Sequence, residues 1–145
     1  PKIRIAGDGV AFQSVLELFD SAKREHGLSV EISGAFDTEG FEKMIQEIDV
    51  MFAIYSPMRG NILQGALPVK MFDAAAHGVP SVVNDSCLMG ELAEHEGIGH
   101  SIGWLQNEDL AKSLLKLRTV RVELDSTSER ERKRFIEAMK PYLSD

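Results

Sequence analysis

A chain of 145 residues is a common size for one domain and long enough to bury a single hydrophobic core. Its 43% hydrophobic and 27% charged residues exclude a disordered or fibrous protein, and its net charge of -7 excludes general binding to nucleic-acid backbones, which needs a basic surface to displace counterions. One cysteine, Cys87, rules out an internal disulfide and fits a reducing cytoplasm, while the longest strongly apolar run, Val50 to Tyr55, is too short to span a bilayer.

Ile3 and Ile5 alternate with Lys2 and Arg4 and then meet Gly7-Asp8-Gly9, so a short strand runs into a turn. Phe12, Val15, Leu16, Phe19 and Ala22 follow on one helical face, with His26-Gly27 as the stop. Val30 and Ile32 predict a second strand ending at Gly34, and Phe41, Met44, Ile45 and Ile48 repeat with helical spacing. Val50 to Tyr55 is unbroken and apolar, the mark of a strand covered on both faces, and is expected at the centre of a sheet.

A Pro-, Gly- and Asn-rich loop spans Ser56 to Leu67. Pro68 suits the first turn of the next helix, which should stop at His77-Gly78. Ser81-Val82-Val83 predicts a strand, Glu91 to His95 a short helix, His100 to Trp104 an edge strand, and Leu110, Leu114 and Leu117 a further helix. Ser126 and Glu129 have capping-box spacing for a last helix, with Phe135, Ile136 and Met139 on its inner face and Pro141 closing it. Repeated alternation of strand and helix predicts one α/β domain over 1-145, a three-layer α/β/α Rossmann-like fold with an open, mostly parallel sheet. Ligands of such sheets bind at the carboxyl ends of the strands, here the loops Gly7 to Gly9, Gly34 to Asp37 and Ser56 to Leu67.

The stretch from Gly65 to Pro80 carries the chemistry. Lys70 falls in the first turn of a helix, where the macrodipole disfavours a cation by ~0.3–1 kcal/mol. A lysine there suits a site in which free N–H groups and an ammonium converge on one phosphate-like anion. Asp73, three residues on, is placed to accept hydrogen bonds from sugar hydroxyls. The same spacing also fits an ordinary i, i+3 surface ion pair.

This stretch resembles the signature of retaining glycosyltransferases with two Rossmann-like domains (the group 1, or family 4-like, enzymes), in which an acidic residue precedes Ala-x-x-x-Gly-x-Pro. Asp73, Ala74, Gly78 and Pro80 stand in those places. Ile5 to Gly9, Gly34-Ala35-Phe36, Asp49 to Pro57, Glu91-Leu92, Gly99 and Glu108-Asp109-Leu110 are also similar to the family, so the likeness covers roughly residues 3 to 117. It implies the donor-binding half of a transferase for a UDP- or GDP-sugar, with no metal or other cofactor, and an acceptor-binding domain preceding this chain that carries any membrane contact. Donor contacts implied are Lys70, Asp73, Gly65, Ala66, Leu67 and Pro68, with Gly9, Ala35 and Phe36 from the earlier loops. No catalytic residue is assigned.

Two departures stand out. Gly65 replaces the glutamate that many members carry eight positions before the acid, and Pro68 with Lys70 matches a branch having Pro-x-Lys instead. The family's early arginine and lysine, which grip the diphosphate, have no counterpart in the chain. Gly7-Asp8-Gly9 begins a dinucleotide fingerprint, but Phe12 occupies the third glycine position, which weighs against a nicotinamide-binding module. A non-catalytic domain that has kept the fold is the other alternative. His26, His77 and His95 sit at predicted helix ends without metal-ligand spacing.

Overall fold

The computed structural model describes residues 2–124 and 127–143; Ser126 of the expected capping box lies outside them. The chain divides into two compact units, Pro1–Gln46 and Glu47–Asp145. Both are α/β, and every strand pair is parallel, in a Rossmann-like layout.

In the first unit, β1 (Lys2–Ala6) and β2 (Ser29–Ser33) form a two-stranded ladder in which Ile3 pairs with Val30 and Ile5 with Ile32. They are joined by α1 (Phe12–His26), which stops where Gly27 takes a left-handed φ of 64° and its N–H bonds the Lys23 carbonyl. Then α2 (Thr38–Ile45) follows, capped by the Asp37 carboxylate, which accepts the Gly40 N–H at 2.8 Å. This helix ends before Ile48, which periodicity alone had included. Across the same ladder, the Glu31 side chain pairs with those of both Lys2 and Arg4.

The second unit holds β3 (Met51–Ala53), α3 (Gly60–Leu63), α4 (Val69–Ala76), β4 (Ser81–Asn84), α5 (Leu88–His95), β5 (Gly99–Ile102), α6 (Asn107–Leu117) and α7 (Thr127–Leu143). Its ladder runs β3-β4-β5, so β4 is the middle strand, not β3. All four β4 residues are buried, whereas Phe52 of β3 is half exposed. Both faces of the apolar run carry packing, although Phe52 leaves one of them incompletely covered. Ala53 and Tyr55 face the core that α3, α4 and α5 build with Ile62, Met71, Ala75, Met89 and Ala93, while Val50 and Ile54 face Leu110 and Leu117 of α6. Coverage of two faces does not reveal ladder order, which depends on pairing between distant segments.

Two close approaches hold these layers. A Cβ on Gly90 of α5 would lie 2.4 Å from the Asn84 carbonyl oxygen, and one on Gly99 would lie 2.3 Å from that of Ser81. At the open side of β5, the Ser101 N–H donates to the Glu94 carboxylate of α5 at 2.7 Å, and His100 Nδ1 lies 2.7 Å from the same oxygen.

The last helix differs from expectation. Phe135 and Ile136 are exposed rather than inward, and Pro141 lies inside α7 instead of closing it. Apolar periodicity marks a face without saying what covers it. Proline so near the end removes only one backbone bond and leaves room for two further helical residues.

Candidate functional site

The parallel ladder of the second unit brings the carboxyl ends of β3 and β4 side by side, with the starts of α4 and α5 beyond them. The helix α4 begins after Pro68, whose ψ of 127° is extended, so proline is the cap residue rather than the first helical one. No side chain caps this helix and no acid lies in its first turn. The amides of Val69 and Lys70 therefore have no partner within the helix. The start of α5 after Cys87 also lacks a side-chain cap. The turn that leads into α4 lies beside the start of α5, because a Cβ on Gly65 would lie 3.4 Å from Leu88 Cδ2.

Gly65 itself has φ of +89°, a backbone state that side chains with a Cβ avoid. Glycine suits this turn because it carries no Cβ. Ala66, Leu67 and Pro68 carry the chain from this turn to the helix, and the Ala66 N–H bonds the Asn61 carbonyl at 2.9 Å.

Lys70 turns away from Asp73. Its Nζ sits over the Tyr55 ring at 5.0 Å from the centroid, and the Arg59 guanidinium lies over the same ring at 5.6 Å. Among the described residues neither cation has a carboxylate at ion-pairing distance, so the surface pair with Asp73 does not form. Burial lowers the Lys70 pKa, and the nearby Arg59 charge lowers it further. Burial also raises that of the Tyr55 hydroxyl, against a smaller opposite pull from Arg59. A half-buried ammonium near the start of a helix and an exposed guanidinium thus lie over one ring, like charges that an incoming anion would relieve. The Asp73 carbonyl accepts His77 Nδ1–H at 2.8 Å, and its carboxylate is partly accessible on the next turn.

Asn84 completes the arrangement. Its side chain accepts the Tyr55 N–H at 2.7 Å and donates to the Tyr55 carbonyl at 2.9 Å. Arg59, Tyr55 and Asn84 escaped the sequence reading. The carboxyl-end rule had already pointed to the loop containing Arg59, and it was the usable signal.

The other expected contacts belong to the first unit. There the Gly7 N–H donates to the carbonyls of Ser33 at 3.2 Å and Gly34 at 3.1 Å, which joins the Gly7 to Gly9 turn to the loop holding Ala35 and Phe36. Phe36 stacks on Phe41 with centroids 6.2 Å apart, and Gly9 has open space beside its Cα. Asp37 is engaged as the α2 cap.

Elsewhere in the second unit, a depression of about 310 Å³ opens where β5 meets α6, lined by Asp85, His100, Gln106, Asp109 and Lys112 among others. Among the described residues no cluster of His, Cys, Asp and Glu has the makings of a metal centre, and no helix is long and apolar enough to cross a membrane. No protein family, curated protein or solved structure matches the chain.

Proposed function

We propose that the second unit binds the diphosphate of a nucleotide-sugar and serves as the donor side of a glycosyltransferase. The observation that carries this reading is the pair Arg59 and Lys70, two cations without a carboxylate partner beside the uncapped start of α4. The resemblance of Gly65 to Pro80 to the donor segment of two-domain retaining enzymes supports the nucleotide-sugar in particular.

In this reading the Val69 and Lys70 amides and both cations meet the diphosphate oxygens. The same groups then offset the charge that grows on the diphosphate as the glycosyl bond breaks, which is where fixed donors lower a barrier. Asp73, one turn along, takes the ribose hydroxyls. Orientation of an acceptor, worth roughly 7–11 kcal/mol of barrier lowering, falls to residues outside this unit.

The test is thermal denaturation of the protein with UDP, GDP or NAD, in buffer containing a chelator. UDP or GDP at 100 times its dissociation constant adds about 2.7 kcal/mol of stability. A shift with NAD alone favours a dinucleotide module, and no shift with either diphosphate overturns the proposal.

A further inference from the structure

We infer that Tyr55, locked in place by Asn84, is the positioning residue of the cationic site, holding Arg59 and Lys70 at one aromatic ring without neutralising either. The inference rests on reading that site as a place for an anion.

Adjacent guanidinium and ammonium groups repel, so something must hold them together. A carboxylate would do so at the cost of cancelling the charge an anion needs. An aromatic face does it differently, because its quadrupole attracts cations within about 6 Å of the centroid and carries no net charge. Both cations lie within that range of the Tyr55 ring. The ring is itself steadied, since Tyr55 packs against the core cluster of Ala53, Ile62 and Met71.

The backbone under the ring has an unusual anchor. Pairing of β3 with β4 ends at Ala53 and Val83, two residues before Tyr55. Beyond that point the strand would fray. Asn84, only 6% exposed, takes over from the ladder by bonding both the N–H and the C=O of Tyr55 with one side-chain amide. Asn84 is also tied into the sheet through its pairing with Ile102 of β5. The direction of the Tyr55 side chain is thus set from the middle strand, across a sequence separation of 29 residues.

The test compares Tyr55→Leu, Tyr55→Phe and Asn84→Ala in the whole chain. Leucine keeps apolar packing and removes the π-face, whereas phenylalanine keeps both. The first readout is the ring-current shift of the Lys70 ε-methylene protons by NMR. The second is affinity for UDP and for inorganic pyrophosphate by calorimetry. Tyr55→Leu should abolish the shift and weaken both ligands roughly five- to thirtyfold, the loss of two cation–π contacts.

Tyr55→Phe should restore shift and affinity together, and Asn84→Ala should reduce both while the protein still melts cooperatively. If Asn84→Ala does not fold, the leucine and phenylalanine variants decide the matter. Wild-type affinity in Tyr55→Leu, or an unchanged Lys70 shift in a folded Asn84→Ala, overturns the inference. A parent protein that binds neither ligand overturns the donor-site reading instead, and the Lys70 shift still decides whether Tyr55 and Asn84 position that side chain.

Discussion

Replacing Lys70 by methionine separates binding from folding, because the two should move in opposite directions. The stem length is kept, so packing beside Tyr55 persists while the charge goes. One charge-assisted hydrogen bond is worth ~1.5–3 kcal/mol, which converts to a loss of about ten- to a hundredfold in diphosphate affinity. Uridine or guanosine, lacking phosphates, should bind as before. Stability should hold or rise, since burial, the Arg59 charge and the helix start all oppose the ammonium, and the ring alone favours it.

The pH dependence follows. The Lys70 pKa is lowered in the fold, so between that value and the ordinary lysine range near ~10.4 the unfolded chain holds more protons and stability rises with pH. Lys70→Met should remove that rise. Calorimetry against UDP and GDP, with melts from pH 7 to alkaline pH, measures both effects. A variant that binds the diphosphates as tightly as the parent, or loses more than about 1 kcal/mol of stability, would refute the reasoning.

Arg59→Gln should weaken UDP by a similar factor and raise the Lys70 pKa, readable by NMR titration, because one of the two causes of its lowering disappears. Gly65→Ala should cost ~1–2 kcal/mol in chemical denaturation, as a Cβ is forced into a left-handed backbone, and a neutral result would mean that the turn relaxes. Gly90→Ala should cost ~1–3 kcal/mol or more, since the obstacle at 2.4 Å is the Asn84 carbonyl and not a movable side chain, and the same melts would expose an error. In the first unit, Lys2 and Arg4 hold the Glu31 carboxyl near 2; its contribution is present above the ordinary carboxylate range and is lost as pH falls towards that value. Glu31→Gln should therefore flatten the acid side of the stability profile, and an unchanged profile would show that these pairs contribute nothing.

Much of the local structure was legible because it is written locally. Gly27 stops α1 through its own backbone freedom, Gly78 follows the last turn of α4, and the Ile3/Ile5 and Val30/Ile32 alternations mark strands that pair with each other. Ladder order was not legible. Val50 to Tyr55 looked central because it is apolar on both sides, yet only pairing between distant segments makes β4 the middle strand. Lys70 and the helix start were found from spacing and the dipole, but the partner of Lys70 was not. An i, i+3 acid was the nearest candidate along the chain, and the ring actually beneath Lys70, that of Tyr55, lies fifteen positions away, two residues past the end of β3. Asn84 was missed because nothing near it in sequence signals a bond to a segment 29 positions away.

The Glu94 carboxylate on the flank of β5 has a consequence for how this protein behaves among its own copies. An edge strand with free amides is a template on which another chain can build. Here the outward Ser101 N–H and its hydroxyl both donate to Glu94, and His100 lies against it. An added strand would have to displace that side chain and set its own carbonyl beside a negative charge. These contacts lower the Glu94 pKa although partial burial works the other way, so the guard stays ionised into mild acid. Its protonation in stronger acid removes the charge, and the β5 edge then loses this guard at Ser101.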